Sequence, residues 1–206
     1  MTIPKNWVVV PQEELDKFQS YISETHKEKI EYDLALQSNS SIGWFVHPYI
    51  LIQIDNRGRQ YTQRQIEGGI KKSNIAKNFD SKKKKYKNIL FELDDGAVFY
   101  DREKNILYTK LTLYEEKTKI YALLSQILTK FGAIRVMFYD HENSYLDNVS
   151  LMKNFLKTII VDSNKQYSIE QNKSEKYSDP FGSAVSVGIL SIITFIIMRM
   201  RGRNNN

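Results

Sequence analysis

Residues Glu116–Phe131 read EKTKIYALLSQILTKF, and the way they fold decides how the rest of the chain is arranged. Ile120, Leu123, Leu124, Ile127, Leu128 and Phe131 recur at the spacing that lines up one apolar face of an amphipathic helix. Lys130 then falls in the last turn and Gly132 just beyond it, where helices commonly stop. The spacing predicts a helix over 116–131. A strand should follow at Ala133–Tyr139, then a helix at Leu146–Leu156 and a short last strand at Thr158–Val161.

Upstream, ILYTKLTLY at Ile106–Tyr114 has the alternation and residue types of a strand, entered by a turn at Asp101–Asn105. Ile89–Leu93 and Ala97–Tyr100 flank Asp94-Asp95-Gly96, and Asp-Gly between apolar runs predicts a hairpin. Trp44–Asp55 (WFVHPYILIQID) is a further strand. Pro48 has no N–H to give to a ladder, so this strand starts at Tyr49 or lies at an edge there. Asn56-Arg57-Gly58 is a turn. Thr62-Gln63-Arg64-Gln65 has the form of a capping box, predicting a helix through Ile66, Ile70 and Ile75. Gly68-Gly69 opposes that helix by about 2 kcal/mol relative to alanine.

Near the start, Pro11 suits the first position of a helix, with Glu13 and Glu14 in its first turn and Leu15, Phe18 and Ile22 as its buried stripe. Ser38–Ser41 is a polar break. The expected class is α+β: a single small domain over 1–162, with a mostly antiparallel sheet and flanking helices. Residues 163–179 are polar and read as a flexible linker, with a reach of roughly 20–25 Å.

Pro180–Met198 (PFGSAVSVGILSIITFIIM) carries no charged residue. As a helix it would span roughly 28 Å, about the hydrocarbon thickness of a bilayer. We expect a transmembrane helix over 180–198 and a short basic tail over 199–206 holding Arg199, Arg201 and Arg203. A buried core helix of this length would normally show a polar face, and this segment has none. Trp7-Val8-Val9-Val10 is too short for the apolar region of a secretory signal. The basic residues flanking the anchor nearly balance, with Lys165, Lys173 and Lys176 on one side and the arginines on the other. The expected orientation therefore has the domain in the cytoplasm. The host would be a bacterial inner membrane, or a mitochondrial outer or peroxisomal membrane in a eukaryote.

Charge is concentrated in two places. Net of Asp80, the eight lysines of Lys71–Lys87 and the three tail arginines exceed the whole chain's formal +6, so the remaining body is mildly acidic. A nucleic-acid binder usually spreads basic residues over a face and interleaves aromatics, and no nucleic-acid partner is expected here. Lys82, Lys83, Lys84, Lys85 and Lys87 are instead candidates for contact with anionic lipid headgroups; a solvated insertion explains the same run. Small residues four apart, Gly182 with Ser186 and Ala184 with Gly188, could let two anchors associate closely. Glycine and serine are common in such helices whatever their contacts.

Chemistry has no local signature. There is no cysteine, the three histidines show no metal-ligand spacing, and glycine-rich phosphate loops and GxSxG are absent. No metal or cofactor is expected. Asp140-His141-Glu142 follows a strand, as catalytic groups often do, and equally resembles an ordinary polar loop. Asp94 and Asp95 read better as a turn than as paired carboxylates. Arg57, Arg59 and Arg64 near Tyr61 could form an anion pocket, or pair with Asp55 and Glu67.

The expected function is a non-enzymatic binding module, anchored at its C-terminus, that recognises a protein partner or the membrane surface. A hydrolase-like enzyme is the rival, favoured by a deep pocket that holds two or three of His47, Asp55, Glu67, Asp140 and His141 within about 4–6 Å. An accessory subunit of a larger membrane complex is a third reading.

Overall fold

The computed structural model describes residues 1–26, 31–40, 42–56, 58–71, 89–92, 98–115 and 118–168. In chain order these form β1 (Trp7–Val9), α1 (Gln12–His26), β2 (Leu34–Ser38), β3 (Tyr49–Asn56), α2 (Gln63–Lys71), β4 (Ile89–Glu92) and β5 (Val98–Asp101). Then come β6 (Ile106–Glu115), β7 (Thr118–Thr129), β8 (Gly132–His141), α3 (Glu142–Lys157) and a 3₁₀ turn at Ser163–Lys165. The strands make one sheet in the order β1-β2-β3-β8-β7-β6, with β4 and β5 both on the outer edge of β6. Every ladder between named strands is antiparallel. The α+β class with an antiparallel sheet and flanking helices holds.

Glu116–Phe131 is not a helix. Thr118–Thr129 is the strand β7, paired along its length with β6 on one side and β8 on the other. Residues of both parities are buried, Ile120, Ala122, Leu124 and Leu128 on one face, Leu123 and Ile127 on the other. A strand covered on both faces needs no apolar–polar alternation, so the period-two signal is lost. Ser125 and Gln126, buried side by side with one on each face, supply the polar gap that makes the remaining apolar residues look helically spaced. Lys130 and Phe131 are the two residues of a hairpin whose strands meet at Thr129 and Gly132.

Two smaller expectations also change. Ile89–Tyr100 is not a hairpin. Ile89–Glu92 pairs with Thr112–Glu115, while Val98–Asp101 pairs with Ile106–Thr109, so β4 and β5 run the same way along β6. The Asp94-Asp95-Gly96 signal falls in 93–97, outside the described residues. Thr158–Val161 is irregular rather than a strand: after α3, Thr158 and Ile159 give their N–H groups to Phe155 and Leu156 carbonyls. β1 and β2 were not anticipated.

Other elements follow their local chemistry. α1 begins after Pro11 and buries Leu15, Phe18 and Ile22. α2 has the expected reciprocal cap. Thr62 Oγ1 accepts from Gln65 N at 3.1 Å, and Gln65 Oε1 accepts from Thr62 N at 2.8 Å. That cap and the burial of Ile66 outweigh Gly68-Gly69. β3 starts at Tyr49, after a cis His47–Pro48 bond, and lies inside the sheet between β2 and β8.

Helices cover both faces. On one, Tyr145, Met152, Phe155 and Leu156 of α3 pack on Leu36, Ile50, Phe138, Leu123 and Tyr108. On the other, α1 joins β3 through an aromatic series: Phe18 stacks on Phe45 at 4.1 Å, and Phe45 meets Tyr49 edge-on at 5.9 Å. α2 packs on this same face through Ile66 against Leu128 and Ala133. It must cross there, because β3 sits on one side of β8 while β4 and β5 lie at the far edge.

The domain does not close at Asp162. Gln166 bridges Thr129, Lys130 N donates to Lys165 O at 2.8 Å, and Tyr167 is buried beside α2. Ser168 is held to Gln60 in both directions. The stretch expected to be linker is therefore packed as far as Ser168. Residues 169–206 lie outside the described residues, among which no helix is long and apolar enough to cross a membrane.

Candidate functional site

Lys82, Lys83, Lys84, Lys85 and Lys87 fall outside the described residues, as do Gly182, Ala184, Ser186 and Gly188. The described part offers three places where polar and apolar groups are arranged in a defined way.

The first is a cleft of about 310 Å³ between α2 and β5. Ile66 and Ile70 form its helical wall, Val98, Phe99 and Tyr100 its strand wall, and Tyr167 lines it where the described chain ends. The mouth is polar: Arg102 lies 3.7 Å from Glu67, which also accepts from Gln63 Nε2 at 2.8 Å. Tyr100 Oη donates to Asn105 Oδ1 at 2.8 Å, fixing its ring. Burial holds the Tyr100 phenol above its ordinary value, and burial followed by the neighbouring Tyr100 pushes Tyr167 up to about 12. Both rings stay neutral at physiological pH. An apolar trough with a charged rim suits an apolar side chain or short peptide better than an ion.

The second is a polar network between β3, β8 and the start of α2. Arg135, 8% exposed, donates from one guanidinium nitrogen to Gln53 Oε1 at 2.9 Å and from the other to Asp55 Oδ2 at 2.7 Å. Tyr61 Oη donates to the same Asp55 oxygen at 3.0 Å. Tyr61 also packs with Ile66 and Tyr167, so the network secures the α2 side of the cleft. Arg135, seen in sequence only as one charge inside an apolar run, is a partner of Asp55 that the sequence reading did not name. Register would have found it, since Asp55 faces Ala133 and Gln53 faces Arg135 across β3 and β8.

The third is at the opposite end of these strands. The His47 and His141 rings lie 4.5 Å apart, with Tyr49 at 5.1 Å from His47. Asp140 points to the other face. It is fully buried, accepting from His141 N and Ser144 Oγ through Oδ1 at 2.8 and 2.7 Å and from Asn148 Nδ2 through Oδ2 at 2.8 Å. Its hydrogen bonds fasten the first turns of α3. Of the five enzyme candidates, the two histidines lie together, Asp140 is across the sheet, Asp55 is with Arg135, and Glu67 is at the cleft mouth. Among the described residues no group of three or more His, Cys, Asp or Glu could hold a metal ion.

No family model matches this chain, and no curated protein is detectably similar to it.

Proposed function

We propose that this chain is a single-pass membrane protein, anchored at its C-terminus, whose α+β domain is a non-enzymatic binding module facing the cytoplasm. The observation that carries the binding part is the apolar cleft between α2 and β5, whose wall includes Tyr167. The uncharged run Pro180–Met198, starting twelve residues past Ser168, supports the anchor. A module joined to a bilayer by so short a stretch meets membrane-bound partners at high effective concentration. The lysines at 82–85 and 87 would add about 1 kcal/mol each where they approach an anionic leaflet. The Gly182/Ser186 and Ala184/Gly188 pairs would offer a face for a second anchor.

Alkaline carbonate extraction tests the anchor. The full chain stays in the membrane pellet, and replacing Ile192 and Ile193 with Asp releases it. Extraction of the unsubstituted chain overturns the reading. The one observation favouring a membrane-associated hydrolase is the approach of His47 and His141. His47→Asn with His141→Asn would then abolish an activity that substitutions in the cleft leave intact.

A further inference from the structure

From Leu34 to Ile54 the chain has no Asp, Glu, Lys or Arg. Inside that uncharged run, the connection from β2 to β3 turns outward and leaves Ile42 97% exposed and Trp44 39% exposed. The exposure is built in. Gln37, itself 1% exposed, donates from Nε2 to Gly43 O at 2.6 Å and accepts from Val46 N at 3.0 Å. Phe45 is buried in its stack on Phe18 and holds a φ of 58°, a left-handed conformation that bulky residues seldom adopt. Gly43 has a φ of 88° with open space around it, so the chain reverses there without a side chain in the way. Gln37 thus ties down Gly43 and Val46, Phe45 is buried, and the side chains of Ile42 and Trp44 stay outside.

We propose that Ile42-Gly43-Trp44 is a bilayer-insertion tip, Ile42 entering the acyl boundary and Trp44 lying at headgroup depth. Tryptophan favours that interface and isoleucine the hydrocarbon beneath it. Ser38, Asn39 and Ser40 behind the tip are polar without charge, so the loop itself carries no ion to desolvate. A convex tip of two apolar side chains would need a matching groove on a protein; a bilayer needs none. The tip rests on the membrane reading only for which bilayer it meets. It lies beyond the Tyr49 end of β3, while Ser168 is held to Gln60 beyond the Asn56 end, and β3 itself is about 24 Å long. Residues 169–179, extended, span up to about 38 Å, so the bilayer holding the anchor is within reach.

The test uses the full chain in lipid nanodiscs containing brominated or plain phosphatidylcholine. The protein has two tryptophans, Trp7 packed against Phe138 and Trp44 at the tip, so Trp44→Phe isolates the contribution of Trp7. The expected result is a bromine-quenched component of the emission that disappears with Trp44→Phe and is lost in Ile42→Asp, while Trp7, buried against Phe138, emits unquenched in all three. Equal emission in brominated and plain discs, with Trp44 still open to aqueous iodide, overturns the tip while leaving the anchor standing. A chain that fails to co-elute with discs contradicts the anchor instead. Brominated vesicles mixed with that free chain then decide the tip by the same quenching, present if it inserts and absent if it does not.

Discussion

Replacing Asp55 with Asn should cost about 2–3 kcal/mol of folding stability. Arg135 is 8% exposed and Asp55 19% exposed, joined at 2.7 Å. Breaking a buried pair by removing one charge typically costs about 3–5 kcal/mol, because the remaining ion stays uncompensated in a poor solvent. Two features lower the figure here: Asp55 keeps some contact with water, and Gln53 Oε1 still accepts from Arg135 at 2.9 Å. Tyr61→Phe, which removes only the 3.0 Å hydrogen bond to the carboxylate, should cost about 1 kcal/mol. The paired replacement Asp55→Leu with Arg135→Met removes both ions and should cost less than Asp55→Asn alone. Equilibrium urea unfolding of the full chain in mild detergent, followed by far-UV circular dichroism, reads all three. With a slope of about 2 kcal/mol/M, Asp55→Asn moves the midpoint down by about 1 M. A shift under about 0.3 M, or a double variant worse than the single, would refute the claim that this pair is held in a low-dielectric site.

Ile66→Ala should cost about 2–4 kcal/mol, since Ile66 is buried among Tyr61, Leu128 and Tyr167 where α2 meets the sheet; thermal unfolding measures it. Tyr145 and Tyr167 should titrate near 12, seen as late deprotonation in absorbance at 295 nm. Their folded pKa values lie above the unfolded one near 10, so their contribution is complete below pH 10 and fades as pH rises toward 12. The chain should be less stable at pH 11 than at pH 9, and equal stability at both would contradict the burial of these phenols. Native-state hydrogen exchange should find the amides of Ile120–Leu128 among the slowest, as befits a strand paired on both sides. Fast exchange there would return the segment to doubt.

How far the sequence could be read depended on whether an element's signal was local. α1, the capped start of α2, the entry to β3 and the strand β8 all carry their instructions in adjacent residues, and each formed as expected. β7 carries none, because its character comes from β6 and β8 on either side and from helices over both faces. Its isolated pattern is therefore compatible with a helix. β1 and β2 are short, at three and five residues, and owe their place to mutual pairing and to β3. The cleft was equally hidden. Ile66, Phe99 and Tyr167 come from three distant parts of the chain, and only the crossing of α2 to the β5 edge brings them together. The histidine pair has the same origin, His47 before β3 and His141 ending β8, side by side because those strands are neighbours.

The proposed domain is tethered to a bilayer by Pro180–Met198 and faces the cytoplasm. The chain has no cysteine, so single cysteines at Ser81 and Asn206 give a clean topology assay with a membrane-impermeant maleimide on intact bacterial cells, where the reagent meets only the face away from the cytoplasm. With the domain in the cytoplasm, Asn206→Cys labels and Ser81→Cys does not. Labelling at Ser81 alone would place the domain outside the cytoplasm, and labelling at both would mean that the chain does not span the membrane.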